Sequence, residues 1–127
     1  MKKRINATDA PQPRGAYSQG VVWNNILFTA GIGPVDPVTN AIVGTTIIEQ
    51  THQVMKNLGA ILQANNMNYD HVLKATVHLA RLQDDFAAFN DVYKSYFSDA
   101  TLPVRTTVGS VLNGILVEID FVAAGQP

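Results

Sequence analysis

The tightest constraint on the fold is a change of hydrophobic period midway along the chain. From Ile47 to Leu62 the side chains of Ile47, Thr51, Val54, Met55, Leu58, Ile61 and Leu62 recur at helical spacing and form one stripe. From His71 to Leu79 the period falls to two. Leu73, Ala75, Val77 and Leu79 face one way, and Lys74, Thr76 and His78 the other. A helix with one apolar stripe and a strand with one apolar face bury those surfaces against each other, so the fold contains a helix laid on a sheet.

Local signals extend this layer in both directions. Thr46-x-x-Glu49 reads as a capping box, in which hydroxyl and carboxylate satisfy the open amides of a helix start, and Asn65-Asn66 closes the same helix. Asp84 and Asp85 favour a second helix start, followed by the stripe Phe86, Phe89, Val92, Tyr93 and Tyr96 or Phe97. Upstream, Tyr17–Val22 and Ile26–Gly31 are two β-prone runs around Trp23-Asn24-Asn25, where asparagine tolerates the left-handed backbone of a tight hairpin. Leu102-Pro103 restarts extended chain, because proline pushes the residue before it out of the helical region.

Val104–Leu112 and Ile115–Ala123 flank Asn113-Gly114, a strong signal for a two-residue type I′ hairpin. In that register Leu112 opposes Ile115, and Gly109 opposes Glu118. One face then holds Val108, Leu112, Ile115, Val117, Ile119 and Phe121 and packs on the helices. The other holds Arg105, Thr107, Gly109, Glu118 and Asp120, so Arg105 and Glu118 share a sheet face, with a glycine leaving room beside the glutamate. The element order predicts an α+β sandwich, a sheet with two helices on one face, in a single domain over residues 1–127. No further helix is available for the other sheet face, so its cover is expected to be another subunit.

Composition agrees. Only 15% of the residues are charged, against about 25% in an average soluble domain, as expected of a small protein that hides surface against copies of itself. Nine basic and ten acidic side chains leave a net charge of -1, without the broad basic footprint of a nucleic-acid or anionic-membrane binder. There is no cysteine, which excludes disulfides, zinc–thiolate sites and thiol nucleophiles, and the three histidines stand at no metal-ligand spacing. Asn6, Thr8, Asp9 and Pro11 interrupt the place where a signal peptide carries its apolar run, and no stretch is long and apolar enough to span a bilayer. A cytoplasmic protein is expected.

Five fragments in order carry a family resemblance: Pro13-Arg-Gly-Ala-Tyr17-Ser-Gln19; Leu27-Phe-Thr-Ala-Gly31 followed by Pro34-Val-Asp-Pro37; Phe86-Ala-Ala-Phe89-Asn90-x-x-Tyr93; Leu102-Pro-Val-Arg105-Thr-Thr-Val108; and Leu116-Val-Glu118-Ile-Asp120. Over nearly its whole length the chain resembles the reactive intermediate/imine deaminase family, the RidA or YjgF-type group. The resemblance implies a chorismate-mutase-like fold assembled as a homotrimer, with clefts between subunits. It also implies hydrolysis of 2-imino acids to 2-keto acids and ammonia without metal or organic cofactor.

By the same resemblance Arg105 holds the substrate carboxylate, a role suited to a guanidinium fork, and Glu118 positions or deprotonates the attacking water. Gly31 brings backbone close to the substrate, Tyr17 reaches the cleft from a neighbouring subunit, and Phe89 walls it. Thr107 stands where many relatives carry cysteine. The chain departs from the family's pattern at Ala16, Ala30 and Ile32, and the last two are expected to make the pocket less polar and to favour larger or more apolar imines, or a different ligand. Two other functions compete: a trimer that binds a small metabolite without turnover, and an endoribonuclease, which the sparse positive charge disfavours.

Overall fold

The alternating segment is an inner strand of a six-stranded mixed sheet, and both helices lie on one side of it. The structure, a computed structural model, describes residues 1–125. In chain order the elements are β1 (Lys3–Ile5), β2 (Gly20–Trp23), β3 (Ile26–Thr29), α1 (Ile47–Gln63), β4 (Val72–Leu79), α2 (Leu82–Lys94), β5 (Val104–Gly109) and β6 (Val117–Ala124). The sheet order is β1-β2-β3-β6-β4-β5. Short β1, which has no clear sequence pattern, pairs antiparallel with β2 at the edge.

The local signals mostly hold. Thr46 and Glu49 make a complete capping box on α1, and the residues of its stripe, from Ile47 to Leu62, are all buried. β2 and β3 form the expected hairpin, Trp23 opposite Ile26, with Asn24 and Asn25 both at positive φ as a type I′ turn requires. These strands are shorter than their β-prone runs, leaving Tyr17 and Gly31 in loops beyond the sheet. The core joins α1 and α2 to Leu27, Ala75, Val77, Leu79, Val117, Ile119 and Phe121. Leu73 departs from the expected alternation. A bulge between Val72 and Lys74 turns its side chain out to 52% exposure.

The expected C-terminal hairpin does not form. β5 runs parallel to β4, β6 runs antiparallel to β4, and β4 therefore separates the two. Gly114 has a positive φ of 80° but Asn113 does not, so Asn113-Gly114 bends a connecting loop, not a type I′ turn. The physical reason lies in the connections. The chain from β4 through α2 to β5 is a crossover, which returns a strand parallel to its predecessor and fills the free edge of β4. β6 then takes the opposite edge, where Ala75, Val77 and Leu79 oppose Phe121, Ile119 and Val117.

This topology leaves the faces of β6 as expected and reverses those of β5. Arg105 and Thr107 align with Ala75 and Val77, on the helix side of the sheet together with Ile119 and Phe121. Glu118 aligns with His78, and His78 with Val108, so Glu118 and Val108 face the outside. Arg105 and Glu118 thus lie on opposite faces. The outer face carries Phe28, Trp23 and Val104, exposed by 44%, 49% and 67%, with no helix over them. Asp120 also lies there, and its partial burial raises its pKa against the opposing pull of His78 and Lys74.

Candidate active site

On the helix side, α2 brings Phe86, Phe89 and Tyr93 onto one stripe facing β5. Their ring centroids stand 5.6, 5.6 and 4.9 Å from the Arg105 guanidinium carbon. A cation over three aromatic faces is held by the ring quadrupoles, an interaction worth about 0.5–2 kcal/mol per good contact. Asn90, one position beyond Phe89, accepts a 2.8 Å hydrogen bond from Arg105 Nη1 through Oδ1. Among the described residues Arg105 has no carboxylate partner. The guanidinium is therefore oriented by neutral groups, with further donors left for a planar carboxylate.

Phe89 is fully buried and is the floor beneath Arg105 as much as a core residue. Thr107 Oγ1 and the Tyr93 hydroxyl, both on this side, are buried without hydrogen-bond partners. Burial pushes the Tyr93 pKa up to about 12, and the charge of Arg105 opposes that rise.

The outer side gathers Glu118, Gly31 and Tyr17. Main-chain bonds between Ile32 and Ile119, 2.8 and 3.1 Å long, hold the loop after β3 against β6. Gly31 is thereby pressed on Glu118, whose Oε2 would lie 2.7 Å from any Cβ at position 31. The glycine beside the glutamate is Gly31, whereas Gly109 opposes Leu79 on β5. Asn57 of α1 donates through Nδ2 to the carbonyls of Gly33 and Val35 at 3.1 and 2.9 Å and steadies this loop from below. Tyr17 is half-exposed and shares a cavity of about 80 Å³ with Gly31, Arg14 and Val35. Buried Gln19 anchors the approach to it by bonding both ways with the main chain of Ala7 and donating to the Pro11 carbonyl.

The expected residues thus fall into two groups. Arg105, Phe89 and Thr107 belong to one, and Glu118, Gly31 and Tyr17 to the other, and within one chain the sheet separates them. Ile32 borders the cavity and is 6% exposed, with its side chain packed largely in the core. Sequence reasoning placed Asn90 and Tyr93 in a motif without giving them a task. The i, i+3, i+4, i+7 spacing of Phe86, Phe89, Asn90 and Tyr93 was the available signal that all four face one guanidinium.

A two-layer α+β protein with an uncovered sheet face and, beside it, an arginine held by an asparagine and three aromatic rings defines the class. The chain belongs to the endoribonuclease L-PSP family, whose model matches residues 7–125, and within it to the RidA, YjgF-type group. It is 44% identical over 124 residues to the RutC family protein slr0709 of Synechocystis, covering 95% of each chain. It is 36% identical over 129 residues to the 2-iminobutanoate/2-iminopropanoate deaminase of mouse, covering all of this chain and 94% of that one. Its fold matches the crystal structure of Escherichia coli TdcF with bound serine, with a TM-score of 0.89 and 32% identity over 98% of this chain and 99% of the other.

Proposed function

We propose that the protein hydrolyses small 2-imino acids to 2-oxo acids and ammonia, in the cytoplasm, at sites between the subunits of a homotrimer. The observation that carries this reading is the Arg105 guanidinium, aligned by Asn90 on an aromatic floor and without a carboxylate partner among the described residues. The names of the mouse and rat relatives support the reaction class. The amino acid in TdcF supports a site of matching size and charge.

The separation of the two groups supports the assembly. Arg105 stands on the edge strand, and Glu118 on the outer face, which no helix among the described residues covers. A second copy laid on that face supplies the missing half. The substrate carboxylate then sits on Arg105 of one subunit, with its C2 near Glu118 and Gly31 of the next. Glu118 takes a proton from water as the oxygen bonds to C2 and the C=N electron pair moves to nitrogen. Glu118 returns that proton to nitrogen, completing the tetrahedral amino alcohol; it then takes the hydroxyl proton and passes it to nitrogen as the C=O bond forms, the C2–N bond breaks and ammonia leaves. Tyr17 completes the wall of this half and holds the water or the imine nitrogen.

The test is a competition. An amino-acid oxidase generates the imine, semicarbazide traps it, and the protein draws imine away from the trap. The expected result is loss of semicarbazone by wild type and almost none by Arg105→Ala, since truncating one member of a buried charge pair costs about 2–5 kcal/mol. Equal turnover by this variant, or a monomer in sedimentation, refutes the proposal. Arg105-dependent binding of 2-oxo acids with no turnover assigns the same site to metabolite sensing.

A further inference from the structure

Arg14 is the charged side chain bordering the candidate cavity, and the reaction does not use it. It lines the cavity shared by Tyr17 and Gly31, and no acidic residue lines that cavity. Among the described residues Arg14 makes no ion pair, and its one side-chain bond is a long 3.5 Å contact from Nη2 to the Asn40 carbonyl. Asp36, in the turn that Asn40 closes, is committed elsewhere. Its Oδ1 accepts from the amides of Val38 and Thr39 at 2.8 and 3.0 Å, and these bonds hold its pKa below the ordinary value. Arg14 is also tied to Tyr17. Its amide donates to the Tyr17 hydroxyl at 3.4 Å, and the Tyr17 amide donates to the Gly15 carbonyl at 2.9 Å, so the loop presents phenol and guanidinium together.

We infer that Arg14 recognises a second carboxylate, and that the preferred substrates are short 2-imino dicarboxylic acids. This rests on the imine-hydrolysis reading. With C1 on Arg105 and C2 beside Glu118, the substrate's side chain passes Gly31 into the cavity that Arg14 borders. The cavity of about 80 Å³ has room for an acidic arm of one or two carbons. The charges match as well. Two guanidinium groups face two carboxylates, leaving Glu118 without a cationic partner. An apolar side chain would leave Arg14 facing hydrocarbon. The expectation of larger, more apolar imines drawn from Ala30 and Ile32 is accordingly replaced by acidic ones.

Three imines made in place test this: 2-iminosuccinate and 2-iminoglutarate from D-aspartate oxidase, and 2-iminopropanoate from D-amino-acid oxidase. Wild type is expected to favour the dicarboxylic imines in kcat/KM. Arg14→Gln is expected to lower the dicarboxylic-to-neutral ratio about 10- to 100-fold, the span of a charged hydrogen bond, with partial recovery in Arg14→Lys. Turnover of all three imines with a ratio that Arg14→Gln leaves unmoved overturns the inference and leaves the hydrolase standing. Absence of any turnover defeats the hydrolase reading instead. The inference is then judged by calorimetric titration with 2-oxoglutarate and 2-oxobutanoate. Tighter, Arg14-dependent binding of the dicarboxylate sustains it, and equal binding of the two overturns it.

Discussion

Replacing Gly31 by alanine isolates the placement of Glu118 from its chemistry. A Cβ at position 31 would meet Glu118 Oε2 at 2.7 Å, Cδ at 2.9 Å and Cγ at 3.2 Å, whereas ordinary contact begins at 3.4 Å. The carboxylate must therefore retreat by about 0.7 Å, more than a rotation of its two oxygens provides, because Cδ and Cγ are also too close. Gly31 itself is exposed and its backbone is not left-handed, so alanine brings no backbone strain. The fold should lose only the cost of an off-rotamer glutamate, about 0.5–1.5 kcal/mol, or a few degrees of Tm at this length. Activity should fall much further, since a displacement near 1 Å costs on the order of 100-fold when a reacting group must be aligned. Thermal melting and the semicarbazide competition, run on one preparation, separate the two effects. A Gly31→Ala protein that melts near wild type and keeps full turnover refutes the idea that Glu118 acts from this position.

Three other perturbations probe parts of the same construction. Asn90→Leu keeps the shape but removes the acceptor from Arg105 Nη1, and should raise KM about 5- to 100-fold with a smaller change in kcat, as expected of a residue that orients a binding group. Thr46→Ala removes the α1 cap and should cost about 1 kcal/mol in denaturant unfolding while sparing turnover. Tyr69 and Tyr93 have pKa values raised by burial from 10.0 to about 12, so folded protein resists their ionisation. The stability this represents is complete below pH 10 and is lost as pH rises through about 12. Ultraviolet titration should show both phenols ionising late and together with unfolding, and Tyr93→Phe should remove one of them.

What could be read from sequence follows the range of the interactions concerned. The α1 stripe, its Thr46–Glu49 cap and the Asn24-Asn25 turn are decided within a few residues, and all are present. The bulge that turns out Leu73 was not legible, because it arises from how β4 meets β6, some 50 residues away. The same holds for Asn57, which looks like one more polar residue on a helix until the loop carrying Gly31 is found resting on it. Arg105 and Glu118 were picked out by their motifs, and each is held by close neighbours, Arg105 by Asn90 and the α2 rings and Glu118 by Gly31. Their relation in space was not legible, because it depends on strand order.

Strand order also explains why the Asn113-Gly114 signal misled. A turn dipeptide reports what the backbone can do locally, and Gly114 does adopt the left-handed conformation. It does not report which edge of which strand is vacant. With β4 offering two edges and α2 returning the chain parallel to it, β5 and β6 each gain a full ladder on β4, whereas a β5–β6 hairpin would leave one edge of β4 bare. The change from hairpin to crossover puts β4 between the strands that carry Arg105 and Glu118 and sends the two side chains to opposite faces. In the hairpin, one chain alone could have held both ends of a small imino acid. In the crossover Arg105 and Glu118 lie on opposite faces, so an active site built on both residues requires a second copy. The uncovered face bearing Phe28, Trp23 and Val104 is where that copy can bind.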